Sequence, residues 1–361
     1  MNRHPSDEPE KIRGGAEVDA VRLARYLAGR LDGVGGALVV EQFSKGFSNL
    51  TYLLRAGERE YVLRRPPVGV KIKSAHDMSR EYRLLSKVWP VYKKVPRPIH
   101  YCEDESILGA PFYVMDRVRG VILRAKVRDG LELREERMRA TSESLVKTLA
   151  EIHGIDFVAA GLGDFGKPEG YVERQVRGWI DRYATSKTDD IPAMDDVGAW
   201  LLANMPKDTA PALIHNDFKY DNVVLRPESL SEIVAVLDWE MTTIGDPLMD
   251  LGTTLGYWVQ ADDPPGLLAT RFGPTHLPGN LTRMQIVERY GALTGRDVSN
   301  VLFYYVFALY KLGVVAQQLY RRVKDGLTAE PRYVQMLNHV QQVSSTARSV
   351  LDAGRFDTLR A

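Results

Sequence analysis

Between positions 212 and 240 the chain carries His215, Asp217, Lys219, Asp221, Asn222, Asp238 and Glu240, a dense set of groups able to hold a hard cation and move a proton. Two short apolar runs, 223–225 and 233–237, flank a polar turn at 226–232, the pattern of a β-hairpin. In an antiparallel hairpin the residue before the first strand and the residue after the second lie at the same end. Asn222 and Asp238 are therefore expected to be neighbours. An amide oxygen beside a carboxylate suits Mg2+, which takes one or two protein oxygens and completes its shell with substrate phosphates. Asp217, five residues before Asn222, is placed to accept a proton from a substrate hydroxyl, and Lys219 to set a compact positive charge on a transferring phosphoryl group.

The elements that must carry these residues can be read from the apolar periodicity. Three β-rich runs come first, at 38–43, 50–54 and 61–63, the last two joined by the hairpin-like turn Ala56-Gly57-Glu58-Arg59. Period-two alternation on the third run puts Val62 and Arg64 on one face. A helix follows, with Ser74 as its expected N-cap, Asp77 completing a variant capping box, and Met78, Tyr82, Leu85 and Trp89 at helical spacing. Further β character appears at 111–115. Beyond about Gly120 the pattern is mainly helical, with amphipathic stretches at 132–153, 171–183, 281–293, 301–323 and 332–351, interrupted by the hairpin.

Composition narrows the function classes. Lys plus Arg number 48 against 47 Asp plus Glu, so the net charge of +1 argues against nucleic acid as partner, whose binding draws on clustered cations. The only cysteine is Cys102, which permits no intrachain disulfide and fits a reducing cytoplasm. Residues 1–16 are polar and Pro/Gly-punctuated, with no apolar segment of the signal-peptide kind, and read as a disordered tail. The longest apolar run, 301–310, stops at Lys311 and falls short of a membrane span, so no membrane partner is expected.

His215-x-Asp217-x-Lys219-x-x-Asn222 resembles the catalytic loop of the protein-kinase-like superfamily, and Leu237-Asp238-Trp239-Glu240 resembles the metal-binding D-W-E of its aminoglycoside phosphotransferase branch. Gly245-Asp246-Pro247-Leu248-Met249-Asp250-Leu251 matches the G-D-P-x-x-D-L that follows it there. Arg64-Arg65-Pro66-Pro67 and Arg80-Glu81-Tyr82 are similar to the kinase-like domains fused to acyl-CoA dehydrogenases. The resemblance implies an α+β, two-lobed protein-kinase-like fold. Residues 17–118 would form an ATP-binding N-lobe with an antiparallel sheet and one main helix, and 119–361 a mainly helical C-lobe carrying the catalytic hairpin and the acceptor site.

It also implies residue roles. Gly46, Phe47, Ser48 and Asn49 would lie in the loop over the ATP phosphates, with Arg64 on the α/β-phosphates and Glu81 as its ion-pair partner. Met115, Asp116 and Val118 would lie on the hinge strand, Asp116 and Val118 reaching adenine through the main chain, and Val62 in the nucleotide site. Asp217 and Lys219 would be catalytic, and Asn222 and Asp238 the Mg2+ ligands. Some positions depart from the family: Arg64 replaces the common Lys, Asn216 replaces the Gly of H-G-D, and the phosphate loop has one glycine. No A-P-E and no activation segment follow Asp238, which argues against a regulated protein kinase.

The expected reaction is ATP- and Mg2+-dependent transfer of the γ-phosphoryl group to a hydroxyl of a small molecule, either aminoglycoside-like or a hydroxy acid or hydroxyacyl thioester. A cytoplasmic monomer or homodimer is expected. Two other classes remain in view: a nucleotide-binding pseudokinase scaffold, against which the intact Asp217, Lys219, Asn222 and Asp238 set speaks, and a two-metal hydrolase, for which the ligand surplus is missing. His215 reads as a structural hydrogen-bonding residue, Asp246 and Asp250 as helix capping and loop bracing, Asp221 as a solvated turn former. The aromatic cluster from Phe303 to Tyr320 reads as core, with an acceptor pocket including Tyr257 and Trp258 as its functional alternative.

Overall fold

A computed structural model describes residues 9, 16–43, 49–67, 77–128, 130–328 and 330–359. Gly46, Phe47, Ser48, Ser74 and most of 1–16 lie outside the described residues. The chain divides into two compact units. One takes the residues up to Ile122 together with Val158–Leu162 and Asn222–Met241; the other takes Leu123–Phe157, Gly163–Asp221 and Thr242 onward.

The first unit is built on a five-stranded antiparallel sheet of β1 (Leu38–Phe43), β2 (Leu50–Ala56), β3 (Arg59–Arg65), β4 (Pro98–Cys102) and β5 (Phe112–Asp116), in the order β1-β2-β3-β5-β4. Because side chains alternate along a strand, Tyr52, Leu54, Ala56, Tyr61, Leu63, Phe112 and Val114 share one face and pack with Leu23 and Leu27 of the Ala20–Leu27 helix. The other face holds Leu53, Val62, Arg64, Tyr113 and Met115, with Val62 opposite Met115 and Arg64 opposite Tyr113. The Met78–Val88 helix buries Met78, Glu81, Leu84, Leu85 and Val88, one helical stripe that includes a carboxylate. Its cap is Asp77 itself, which accepts from the Arg80 N–H at 3.1 Å, so the helix starts later than the capping box at Ser74 suggested.

The hairpin at 223–236 forms as the apolar runs indicate. Val223–Leu225 and Ile233–Val236 pair antiparallel with Val223 opposite Val236, and the Leu237 N–H donates to the Asn222 carbonyl at 2.8 Å. Asp238 thus follows directly on the bond that closes the hairpin at Asn222. Val121 bridges to Leu225 alongside.

The second unit is mainly helical: Glu135–His153, Tyr171–Ser186, Pro192–Ala203, Pro247–Gly256, Arg283–Thr294, Val301–Lys324 and Met336–Ala353 are its longer helices. The stretch at 132–153 begins at Glu135, and that at 332–351 is broken into Pro331–Val334 and Met336–Ala353. Ala212–Ile214 pairs with Thr243–Gly245 rather than with the hairpin. Val301–Lys324 is long and apolar enough by length and composition to cross a membrane, beyond the shorter run read from sequence. Phe303, Tyr304, Tyr305, Phe307 and Tyr310 are buried on it, as in a core helix. Gly252 is required where Pro247–Gly256 meets this helix, since a Cβ there would stand 2.4 Å from the Tyr304 carbonyl oxygen.

Candidate active site

In the first unit Arg64 is the hub. Its Nη1 donates to Glu81 Oε1 at 2.5 Å and its Nη2 to Asp238 Oδ1 at 3.0 Å and Glu240 Oε2 at 3.2 Å. Asn49 Nδ2 donates to the same Glu240 oxygen at 2.6 Å. Burial pushes the Glu81 carboxyl up, opposed by the Arg64 guanidinium. Arg64 therefore holds together the sheet, the Met78–Val88 helix and the segment after the hairpin. Its neighbour Arg65 points to the opposite face and donates to the Leu108 carbonyl at 2.9 Å and to Tyr52 Oη at 3.1 Å, a structural arrangement.

Asp238 sits in the left-handed region at φ 65°, costly for a residue with a Cβ and tolerated best by Asn and Asp. Its side chain is 35% exposed while Arg64 and Glu240 are each 10% exposed, so its carboxylate keeps an open side. Asn222 is buried at the hairpin's end. One amide oxygen and one accessible carboxylate match the donor set of Mg2+ shared with a phosphate, and among the described residues no cluster of three or more His, Cys, Asp or Glu forms a self-sufficient metal cage. Val62 and Met115 stand side by side on the Arg64 face. The Asp116 N–H donates to the Arg97 carbonyl at 2.9 Å and its Oδ2 pairs with Arg97 Nε at 2.8 Å. Any further main-chain contact from Asp116 must come from its carbonyl.

In the second unit Asp217 is surrounded by donors. Lys219 Nζ lies 2.7 Å from Oδ1 and 2.6 Å from Oδ2, and the Tyr257 hydroxyl donates to Oδ1 at 2.7 Å. Burial pushes the Asp217 carboxyl up, but Lys219 and Tyr257 outweigh it and hold its pKa below the ordinary value, so the group is ionised at neutral pH. Lys219 also lies 4.7 Å from the Tyr257 ring centre, in cation–π range. Asp221 Oδ1 is 3.9 Å from the same ammonium. Asp221 is partly buried rather than freely solvated, and burial pushes its pKa up to about 6.

The loop ahead of Asp217 is braced from below. Asp250 Oδ2 accepts the His215 N–H at 2.6 Å and Oδ1 the Asn216 N–H at 2.8 Å, while His153 Nε2 lies 3.1 Å from Oδ2. A carboxylate only accepts, so Nε2 carries the proton, and in the neutral ring Tyr290 donates to Nδ1 across 2.7 Å. His215 is structural, its Nδ1 taking the Asp217 N–H at 3.3 Å. Asn216 has φ 65°, which explains chemically why this position favours Gly or Asn. The Gly245-Asp246-Pro247 run is equally physical. A Cβ on Gly245 would meet Ile214 and Tyr171 within 2.8 Å; Asp246 caps its helix through the Leu248 N–H at 2.8 Å, and Pro247 fills the first turn.

Three further residues take part. Glu240, the last residue of D-W-E, shares Arg64 with Asp238. Tyr257, for which an acceptor pocket is the functional alternative to core packing, meets Asp217 through its hydroxyl; Trp258 is buried and donates to the Leu281 carbonyl at 2.8 Å. Lys311, which ends the apolar run in the sequence, donates from Nζ to the Asn216 carbonyl at 3.3 Å. Tyr257 and Lys311 carry no local sequence signal, since each is identified by what it touches, while Glu240 is marked by the D-W-E motif.

The family model described as "Phosphotransferase enzyme family" matches residues 39–285. Acyl-CoA dehydrogenase family member 11 from Rattus norvegicus is 34% identical over 342 residues, covering 91% of this chain and 43% of the relative. The chain thus spans less than half the length of that relative. A solved structure of a candidate aminoglycoside phosphotransferase from Ralstonia eutropha is 29% identical, with a TM-score of 0.77, covering 92% of this chain and 97% of that one. A thermostable mutant of another aminoglycoside phosphotransferase, solved with AMP-PNP and hygromycin B, shares the fold at 16% identity and a TM-score of 0.56, covering 90% of this chain and 98% of that one. The fold is that of kinase-like phosphotransferases.

Proposed function

Because the chain belongs to the phosphotransferase enzyme family, we propose that it is a small-molecule kinase moving the γ-phosphoryl group of ATP, with Mg2+, to a hydroxyl. The observation that carries this reading is Asp217, an ionised carboxylate held by a lysine and a tyrosine on the loop that resembles a kinase catalytic loop. The relative solved with AMP-PNP and hygromycin B supports a nucleotide donor and a small-molecule acceptor.

In this reading the first unit serves the nucleotide. Arg64, kept in place by Glu81, neutralises phosphate charge; Val62 and Met115 offer an apolar surface to the base; Asp116 and Val118 offer main-chain groups. Gly46, Phe47, Ser48 and Asn49 supply the phosphate loop. Asn222 and Asp238 would hold Mg2+, which when bound neutralises charge on the phosphate oxygens. Arg64 Nη2, now on Asp238 Oδ1, is a donor that phosphate oxygens can claim. The second unit serves the acceptor. Asp217 takes the hydroxyl proton or orients the hydroxyl, and Lys219 releases part of its hold on Asp217 to offset charge on the transferring group. The acceptor is an aminoglycoside-like alcohol, a hydroxy acid or a hydroxyacyl thioester, and the setting a cytoplasmic monomer or homodimer.

The test is a metabolite extract incubated with ATP and Mg2+. New phosphorylated species are expected with the wild-type protein and not with Asp217→Asn. Identical product profiles from both would overturn the role of Asp217.

A further inference from the structure

Asn216 is the residue whose backbone turns the chain into Asp217, and three helices of the second unit hold it. Asp250 of Pro247–Gly256 takes its N–H at 2.8 Å, Tyr171 of Tyr171–Ser186 donates to its side-chain Oδ1 at 3.4 Å, and Lys311 of Val301–Lys324 donates to its carbonyl at 3.3 Å. The third contact is the least expected. Positions 303–310 of that helix are all buried hydrophobic or aromatic side chains, and the next residue is a half-buried lysine. Placing an ammonium there has a desolvation cost that packing alone does not require.

We propose that Lys311 is a positioning residue for phosphoryl transfer, whose ammonium clamps the Asn216 carbonyl and so fixes the left-handed turn that aims Asp217. The inference rests on Asp217 being the base. Its geometry closes a loop of opposite demands: φ 65° at Asn216 is strained for a residue with a Cβ, and it persists where N–H, carbonyl and side chain are all held. A carbonyl oxygen facing a cation gives a charge-assisted bond, stronger than one to a neutral donor. The charged groups facing Lys311 are Asp217 and Lys219 of the loop, Asp250 of Pro247–Gly256 and Arg182 of Tyr171–Ser186. Burial pushes the Lys311 ammonium pKa down, while Asp217 and Asp250 oppose that push. The same attraction favours the ionised form of Asp217. The Trp179 ring, 5.7 Å from Nζ, covers one side of the cation and restricts where it can swing.

The experiment follows the titration of the Asp217 carboxyl by NMR on isotope-labelled aspartate, with Asp217→Asn assigning the signal. Lys311→Met, Lys311→Gln, Lys311→Arg and the control Lys324→Met at the exposed end of the same helix are compared with wild type. Lys311→Met and Lys311→Gln are expected to raise the Asp217 midpoint by roughly half a pH unit or more. Lys311→Arg restores it, and Lys324→Met leaves it unchanged. In the extract assay the same two variants lower turnover about tenfold, with the ATP KM within about twofold of wild type. Should Lys311→Met fail to fold, Lys311→Gln, which keeps a donor but no charge, decides the matter. An unmoved Asp217 midpoint in a folded, uncharged variant, or a loss confined to the ATP KM, would overturn the proposal. Transfer persisting in Asp217→Asn would instead sink the role of Asp217 as base, an outcome the titration itself does not depend on.

Discussion

Replacing Asp250 with Asn tests whether the loop before Asp217 is held by one buried carboxylate. Asp250 and His153 both have fully buried side chains. Two backbone N–H groups and one ring nitrogen point at the two carboxylate oxygens, at 2.6, 2.8 and 3.1 Å. Asparagine has the same shape but only one accepting end, so its NH2 must face at least one of these donors, leaving a buried donor–donor contact. Hydrogen bonds to charged groups contribute roughly 1.5–3 kcal/mol, and a buried donor left without an acceptor costs about 1–3 kcal/mol more. Asp250→Asn is therefore expected to lose about 3–5 kcal/mol in urea unfolding at pH 7, a weakened charged acceptor and an unpaired donor together. The pH dependence has a defined sign. Burial pushes the Asp250 carboxyl up, but His153, His215 and the backbone donors outweigh it and bring its pKa below 3.8. Its stabilisation is complete above that value and is lost as pH falls through the folded pKa. Wild type should therefore lose its advantage over the variant only below about pH 4. A loss under about 1 kcal/mol at pH 7, or an advantage that persists unchanged at pH 2 to 3, would refute the idea that this carboxylate carries the loop.

Two further predictions concern the same loop. Asn216→Gly should be within about half a kcal/mol of wild type and Asn216→Ala roughly 1–2 kcal/mol less stable, because only the second puts an unassisted Cβ at φ 65°; equal stabilities by urea titration would show that the turn is not strained. Tyr257→Phe removes the donor 2.7 Å from Asp217 Oδ1 while keeping the ring against Lys219. It should lower turnover about tenfold or more with little change in the ATP KM, and kcat within about twofold of wild type would mean that the hydroxyl does not hold the base.

The parts of the fold that could be read directly are those with a local mark, a β-rich or apolar run bounded by a polar turn. Leu38–Phe43 stands where its β-rich run put it, and the 223–236 hairpin, buried at nearly every strand residue, was marked by two short apolar runs about a polar turn. Pro247–Gly256 shows no helical period because nine of its ten residues are buried and no polar face marks one; only the capping expected of Asp246 pointed to it. Pro98–Cys102 begins on a proline and carries a register shift, which masks its strand character. Asp77 as cap shows that local chemistry identified the right residues at the wrong position in the turn. The motif around Asp217, Asn222 and Asp238 was legible because its residues are close in sequence. Tyr257 and Lys311 reach the same loop from 40 and 95 residues away, at Asp217 and at Asn216, and such distances leave no pattern to read, whereas Asp250, 34 residues from Asn216, was legible as a loop brace through the G-D-P-x-x-D-L motif.

The most direct test is the fate of the γ-phosphoryl group. With ATP labelled at that position, Mg2+ and an acceptor purified from the extract screen, the label should appear in the acceptor in a one-to-one ratio with ADP formed, and Asp217→Asn should abolish the transfer. Nucleotide binding of normal affinity with no label leaving ATP for any acceptor would contradict the account and leave a nucleotide-binding scaffold in its place.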